Sequence, residues 1–530
     1  MVPRSSFLRP QDIVLGALLF SEGGSTMSNF FITTAIDYIN GRPHLGHAYE
    51  KIGADVLKRY KLLTGGSSYL LVGTDEHSIN VLKSAQEKGL DPKTYCDQMA
   101  GHFRHLCSVF NISYDRFIRT TDSDHKKVVQ QVVQRLWEHG YIRKDLYAGF
   151  YCESCEAFLQ EELLLDGYCP NHPTKKAVWV NEENYFFTLS RFQKQLEDHI
   201  QSNPEFIQPE SRRNEIVNRL QAGLRDISIS RSSMQWGIPF PQDESHTVYV
   251  WFDALLNYLT GAGCGSPNAV SQENWPPDVQ IIGKDITWFH CIIWPAMLMA
   301  LNLPLPKKIF GHGFLNLHGE KMSKTSGNIL DPLQLAEEYG TDVVRYYLMK
   351  AIPWGQDGNF TLEGLITTYN NDLANDYGNL LSRTTAMINK YFNGQIPAPG
   401  VQTAAEVNIR AAAEETIENY HRFMAEMRYV NALTAVMQLI GTANLYIEET
   451  APWQLFKDSS QHSRLASILY CLVEIIRLAT WMLTPFMPSL KERVWSQLGL
   501  AGQEKVKCFT WGCEYDNVRI NRQSPLFPRL

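Results

Sequence analysis

At 530 residues the chain exceeds one ordinary hydrophobic core and calls for two to four domains. Hydrophobic residues make up 44% and charged residues 20%, the balance of a globular protein, and a net charge of −7 with a pI near 6.1 excludes a broadly basic nucleic-acid binder without excluding a local basic stripe. Ten cysteines in so long a chain exclude a disulfide scaffold, and no unbroken apolar run reaches the roughly 18 residues that would suggest a membrane span.

Residues 1–26 carry Arg4, Arg9, a short apolar run from Ile13 to Phe20 and then Ser-Glu-Gly-Gly-Ser, with no clear cleavage site. A disordered or untranslated leader is expected, with Met27 as the start. Asn29–Ile36 is apolar and β-branched and reads as a buried strand, turned by Gly41, Arg42 and Pro43. From His44 to Leu63 the spacing of Leu45, Ala48, Ile52, Val56 and Tyr60 predicts a helix, stopped at Gly65-Gly66. Ser68–Gly73 is a second strand, and Thr74–His77 opens another helix. Strand, helix and strand at this spacing form a βαβ unit and therefore a parallel sheet.

A third strand is predicted at Arg116–Thr121, followed by a helix carrying Val128, Val129, Val132, Val133 and Leu136. The cysteine-rich stretch 140–226 breaks the alternation and reads as an insertion. Alternation resumes at Thr247–Leu259, Val279–Gly283 and Lys308–Leu315. From Thr361 to Leu498 no strand is expected, and helices are predicted over Leu373–Phe392, Val407–Tyr446 and Arg464–Leu498. The expected fold is α/β, a Rossmann-like doubly wound parallel sheet with an insertion, followed by an all-α domain.

Three motifs carry chemistry. His44-Leu45-Gly46-His47 stands where the first strand passes into its helix, and helix N-termini at strand ends attract phosphate. Two histidines three apart share a helical face and can donate to phosphate oxygens, while Gly46 leaves room for a flat base. Alone, the pair would be ordinary surface histidines. Lys321-Met322-Ser323-Lys324-Thr325, followed by Ser326-Gly327-Asn328, reads as a mobile loop whose lysines suit a polyphosphate. Cys152-x-x-Cys155, thirteen residues, then Cys169-x-x-His172 has the spacing of a closed tetrahedral zinc site with three thiolates and one imidazole. A filled coordination sphere makes that metal structural and points to a reducing compartment, taken as cytoplasmic.

HxGH followed by KMSKT is the signature pair of class I aminoacyl-tRNA synthetases, and from Asn29 to Leu530 the chain resembles the methionyl-tRNA synthetases. Ala35–Gly41, Gly73–His77, Tyr249–Tyr258 and Ile282–Ile286 are similar to that family's strand-end motifs. The resemblance implies ATP-dependent activation of L-methionine to methionyl-adenylate, then transfer to initiator and elongator tRNA(Met). It assigns the methionine side chain to Tyr38, Trp251, Leu255, Tyr258 and His290, the α-ammonium to Asp75, and backbone contacts to Ala35 and Ile36. ATP, with magnesium, is assigned to His44, Gly46, His47, Gly283, Asp285 and Lys324, with Lys321 supporting the loop. A thioether is polarizable and favours aromatic walls, and a polar partner for sulfur, the Tyr38 hydroxyl or a His290 nitrogen, would add selectivity over leucine.

In the helical region Asn379, Arg383 and Trp453 resemble the family's anticodon-reading positions, two amide and guanidinium groups four apart on a helix and one stacking indole. The implied domains are a catalytic domain split over 27–139 and 227–325, a connective insertion at 140–226, a stem-contact linker at 326–370 and an anticodon-binding domain at 371–530. One zinc knuckle set and no appended C-terminal domain imply a monomer away from membranes. Another class I synthetase and a non-catalytic tRNA-binding paralogue are the alternatives.

Overall fold

The computed structural model describes residues 29–152, 157–159, 161, 164–170, 172–232, 234–264, 274–317, 320–321, 330–502, 508–521 and 523–530. The leader with Met27, Cys155 and the loop residues Met322 to Asn328, Lys324 among them, lie outside this set. So do the side chains of His172 and Lys321. The chain divides into two compact units.

The first unit holds residues 29–43, 66–108 and 113–312 of the described chain. Its centre is a seven-stranded sheet built around Phe30–Thr34, whose Phe-Phe-Ile-Thr-Thr sequence is buried at four of five positions. On one side it pairs with Ser68–Asp75, which pairs in turn with Arg116–Arg119; on the other it pairs with Val279–Gly283, then Ile309–His312, then Ile207–Gln208. Every pairing is parallel. Strands buried on both faces need apolar side chains throughout, which is why these segments read as continuous hydrophobic runs. The strand order reverses direction at Phe30–Thr34, so the carboxyl ends of this strand and Val279–Gly283 bound the switch-point crevice where ligands of open α/β sheets bind. A short extra strand, Asp37–Tyr38, pairs with the end of Ser68–Asp75 and sets Tyr38 opposite Asp75.

The insertion is antiparallel. Ile142–Cys152 and Val178–Phe187 pair along ten residues, from Ile142 opposite Phe187 to Tyr151 opposite Val178. Phe187 lies in the unit's core, whereas Leu146 and Trp179 further along the ribbon are exposed. One expectation fails here. Thr247–Leu259 is not a sheet strand of the parallel set: its strand, Asp243–Val248, belongs to a separate antiparallel sheet, and Val250–Leu255 and Asn257–Gly261 are helices. A run apolar throughout does not distinguish a buried strand from a buried helix.

The second unit holds residues 44–65, 109–112 and 313–530. The helix Leu45–Leu63 belongs to it rather than to the sheet unit. Asp55 on that helix takes Arg345 Nη2 at 2.6 Å, and the fully buried Arg345 also donates to the carbonyls of Phe110, Pro485 and Phe486. Gly53 faces the Trp354 ring so closely that a Cβ would sit 2.1 Å from it. The predicted helix Val407–Tyr446 is two helices, Ala404–Ala425 and Tyr429–Thr450, broken at Met427, whose φ is +56°. Arg464–Leu498 likewise divides into His462–Leu483 and Leu490–Leu498, with Pro485 and Pro488 between them. Among the described residues 361–498 no strand occurs. The stretches Tyr429–Leu455 and Ser459–Leu483 are long and apolar enough to cross a bilayer. The second is 94% buried over its most apolar window, as expected of a core helix.

Candidate active site

Within the second unit, His44-Leu45-Gly46-His47 caps its own helix. His44 is the N-cap residue, and its Nδ1 accepts the Gly46 N–H at 3.1 Å. His47 Nδ1 accepts the His44 N–H at 3.0 Å, so the two rings close a reciprocal capping box and stand 3.8 Å apart between centroids. A nitrogen that accepts carries no proton. In the neutral rings the proton is therefore on Nε2 of both histidines, which become donors at a helix N-terminus. The space above Gly46 is taken by the His44 ring: a Cβ there would meet His44 Cε1 at 2.9 Å.

The first unit gathers most of the other assigned residues at the sheet's carboxyl end. Tyr38 and Trp251 meet edge to face at 6.0 Å, and Trp251 stacks on Phe289 at 3.8 Å and 8°. Tyr258 OH is 2.7 Å from His290 Nε2, with both residues buried. His290 Nδ1 lies 3.0 Å from the Ile286 carbonyl, which can only accept. Nδ1 therefore carries the proton, Nε2 accepts from Tyr258, and the neutral His290 ring has no N–H to give a sulfur atom. Asp75 and Leu255 are buried beside this wall, and Ala35 and Ile36 are half-buried just past the first strand.

Phe289 was not among the expected residues. It and His290 open a π-helical turn, Phe289–Ile293, an irregularity that recurs at functional sites. The aromatic run Trp288-Phe289 before His290 is the only signal in the sequence. Gly283 ends the strand Val279–Gly283 and Asp285 follows it, and a Cβ on Gly283 would meet Asp285 Oδ1 at 2.7 Å. Glycine lets the carboxylate fold back over the strand end.

The knuckle residues are described only in part. Cys152 and Cys169 are buried, and the strands Tyr168–Cys169 and His172–Lys176 pair Cys169 with His172. Two buried cysteines, one in a tight turn closing on a histidine position, fit thiolate–imidazole coordination. Among the described residues no group of three donors converges.

In the helical region Asn379 is exposed at the start of Asn379–Tyr391, and Arg383 is ion-paired with Glu448 at 2.6 Å. Trp453 is 37% exposed after Ala451, whose φ is +43°. Its segment is tied to the Asn379 helix by Phe456 stacking on Tyr391 at 4.3 Å. Glu448 is a partner that sequence spacing does not reveal.

The family profile "tRNA synthetases class I (M)" matches residues 30–178 and 172–385, and "Anticodon binding domain of methionyl tRNA ligase" matches 396–509. The methionine–tRNA ligase of Caldanaerobacter subterraneus subsp. tengcongensis is 45% identical over 505 residues, covering 94% of this chain and 79% of that protein. That of Synechocystis sp. is 43% identical over 524 residues, covering 96% and 98%. The solved Mycobacterium tuberculosis methionyl-tRNA synthetase in complex with methionyl-adenylate superposes with a TM-score of 0.89 at 38% identity, over 95% of this chain and all of that one.

Proposed function

Since the chain belongs to the class I methionyl-tRNA synthetases, and so activates methionine with ATP and charges tRNA, we propose a division of its residues between the two steps. In the first, the methionine carboxylate attacks the α-phosphorus of ATP, giving methionyl-adenylate and pyrophosphate. Tyr38, Trp251, Leu255, Tyr258 and His290 hold the side chain, with Phe289 backing Trp251. Asp75 takes the α-ammonium, and Ala35 and Ile36 offer backbone groups. Supporting this is the aromatic wall from Tyr38 through Trp251 to Phe289, at strand carboxyl ends with Tyr38 opposite Asp75.

His44 and His47 donate through Nε2–H to phosphate oxygens, a contribution largest where negative charge grows in the transition state. Gly283 and Asp285 serve the nucleotide, Lys324 the polyphosphate, and Lys321 supports that loop. Magnesium accompanies ATP and neutralises phosphate charge. In the second step a hydroxyl of the terminal adenosine of tRNA(Met) attacks the methionyl carbonyl and AMP leaves as the anhydride bond breaks, while Asn379, Arg383 and Trp453 meet the anticodon. Arg383 must then leave Glu448. Cys152, Cys155, Cys169 and His172 would hold one structural zinc that folds the insertion. A cytoplasmic setting belongs to the same proposal, because a thiolate metal site calls for a reducing compartment.

The deciding experiment is amino-acid-dependent exchange of pyrophosphate into ATP, run across all twenty amino acids. Exchange with methionine alone supports the assignment, and exchange with another amino acid in its place overturns it.

A further inference from the structure

His77, Asp253 and His125 form a buried cluster that none of these assignments uses. Asp253 Oδ2 is 2.8 Å from His77 Nδ1, and Oδ1 is 2.7 Å from His125 Nε2. His125 Nδ1 is 3.0 Å from Thr260 Oγ1. No residue of the cluster is more than 1% exposed. A carboxylate shut away from water needs donors on both oxygens, and here two imidazole N–H groups supply them.

The cluster joins three places in the first unit. His77 is two residues past Asp75, at the end of the strand Ser68–Asp75. His125 is in the first turn of Ser123–Glu138, and Asp253 is two residues past Trp251 on Val250–Leu255. The residue between Asp75 and His77 is held as well: Glu76 takes Arg119 Nε at 2.6 Å and Thr74 Oγ1 at 2.8 Å, and Trp236 Nε1 donates to its carbonyl at 2.7 Å. Glu76 thus ties the segment to the neighbouring strand. His77 ties it to the helix that carries Trp251.

We propose that Asp253 is a positioning residue for the amino-acid substrate: by gripping His77 it fixes the Asp75 carboxylate relative to Trp251. That separation matches the ammonium group of methionine to its thioether, so the cluster measures the substrate's length without touching it. The proposal rests on the assignment of Asp75 to the ammonium group.

The test uses the full chain with His77→Phe, His77→Asn, Asp253→Asn and Asp75→Asn. Affinity is read as the methionine KM in pyrophosphate exchange, beside the ATP KM and competitive inhibition by 4-(methylthio)butanoate, which lacks the ammonium group. Misplacing a binding group by a fraction of an ångström to an ångström predicts a methionine KM raised about tenfold or more in His77→Phe and Asp253→Asn, with ATP and the desamino analogue within about twofold. His77→Asn keeps a donor near the Nδ1 position and recovers most of the loss, which a purely structural role would not require. Equal weakening of methionine and its desamino analogue, or no rescue by asparagine, overturns the proposal. Should Asp253→Asn fail to fold, the two His77 variants decide alone. If Asp75→Asn weakens methionine but His77→Phe does not, positioning falls and the ammonium assignment stands. If Asp75→Asn leaves methionine unchanged, both fall.

Discussion

Removing the Tyr258 hydroxyl tests the tautomer read at His290. The bond is 2.7 Å long between residues 1% and 3% exposed, and His290 Nδ1 is already committed to the Ile286 carbonyl. Tyr258→Phe therefore leaves a buried acceptor nitrogen without its donor, a loss of about 1–3 kcal/mol. At about 2–4 °C per kcal/mol for a unit of this size, the melting temperature of the sheet unit should fall by about 2–12 °C. Activity should fall too if the imidazole forms part of the methionine wall, as proposed. The informative comparison is with norleucine, where a methylene replaces sulfur. If Nε2 accepts from Tyr258 it makes no N–H bond to sulfur, so kcat/KM in pyrophosphate exchange should fall by the same factor for both amino acids. A drop confined to methionine would show that the Tyr258–His290 pair addresses sulfur, and would refute the tautomer argument.

Gly46→Ala would drive a Cβ to 2.9 Å from His44 Cε1, so the ring must swing away; losing one preorganised phosphate donor should lower kcat for adenylate formation by about 10²–10³ with methionine affinity unchanged, as single-turnover adenylate formation and methionine titration will show. Metal analysis should find one zinc per chain, and Cys152→Ser should lose it, with transfer to tRNA falling much further than pyrophosphate exchange. Trp453→Ala should weaken tRNA(Met) by about 1–3 kcal/mol, the worth of one stacked base, without changing exchange; Glu448→Gln should strengthen tRNA binding by at most about 1 kcal/mol, because it frees Arg383 from an exposed ion pair. Burial pushes the Asp253 carboxyl up, but His77 and His125 outweigh it and hold it below the ordinary carboxylate range. Its contribution to stability is thus present above the unfolded pKa of about 3.9 and is lost as pH falls further. The melting temperature of Asp253→Asn should accordingly fall less steeply than wild type on acidification through that range.

What the sequence disclosed depended on whether the signal was local. The helix Leu45–Leu63 and the parallel strands were legible because their apolar spacing and stop residues lie within the segment itself. The pairing of Tyr38 with Asp75 was not, because it depends on a two-residue strand too short to show a period. The break at Met427 hid inside a helical pattern because nothing but a left-handed backbone marks it. Thr247–Leu259 was misread because a segment buried on every side loses the periodicity that separates strand from helix. Phe289, Glu448 and the His77–Asp253–His125 cluster each require a partner distant in sequence, and spacing within one segment carries no information about such pairs.

One residue type does opposite work in the two units, and the local backbone decides which. His44 and His47 spend Nδ1 as an acceptor on the amides of their own helix start, which leaves donor N–H groups at Nε2. His290 spends Nδ1 as a donor to the Ile286 carbonyl, which leaves an acceptor. Donors suit phosphate oxygens; an acceptor that receives the Tyr258 proton suits a wall meant to stay apolar toward a thioether. The difference comes from position along a helix. At an N-terminus the unpaired backbone groups are N–H and a ring must accept from them, whereas within a turn the backbone group facing a side chain is the carbonyl four residues earlier, and the ring must donate to it. HxGH is consequently more than two histidines at a helix start. Its spacing makes the helix start itself set the tautomer of both rings, and its glycine is the residue that lets the first ring reach the amide.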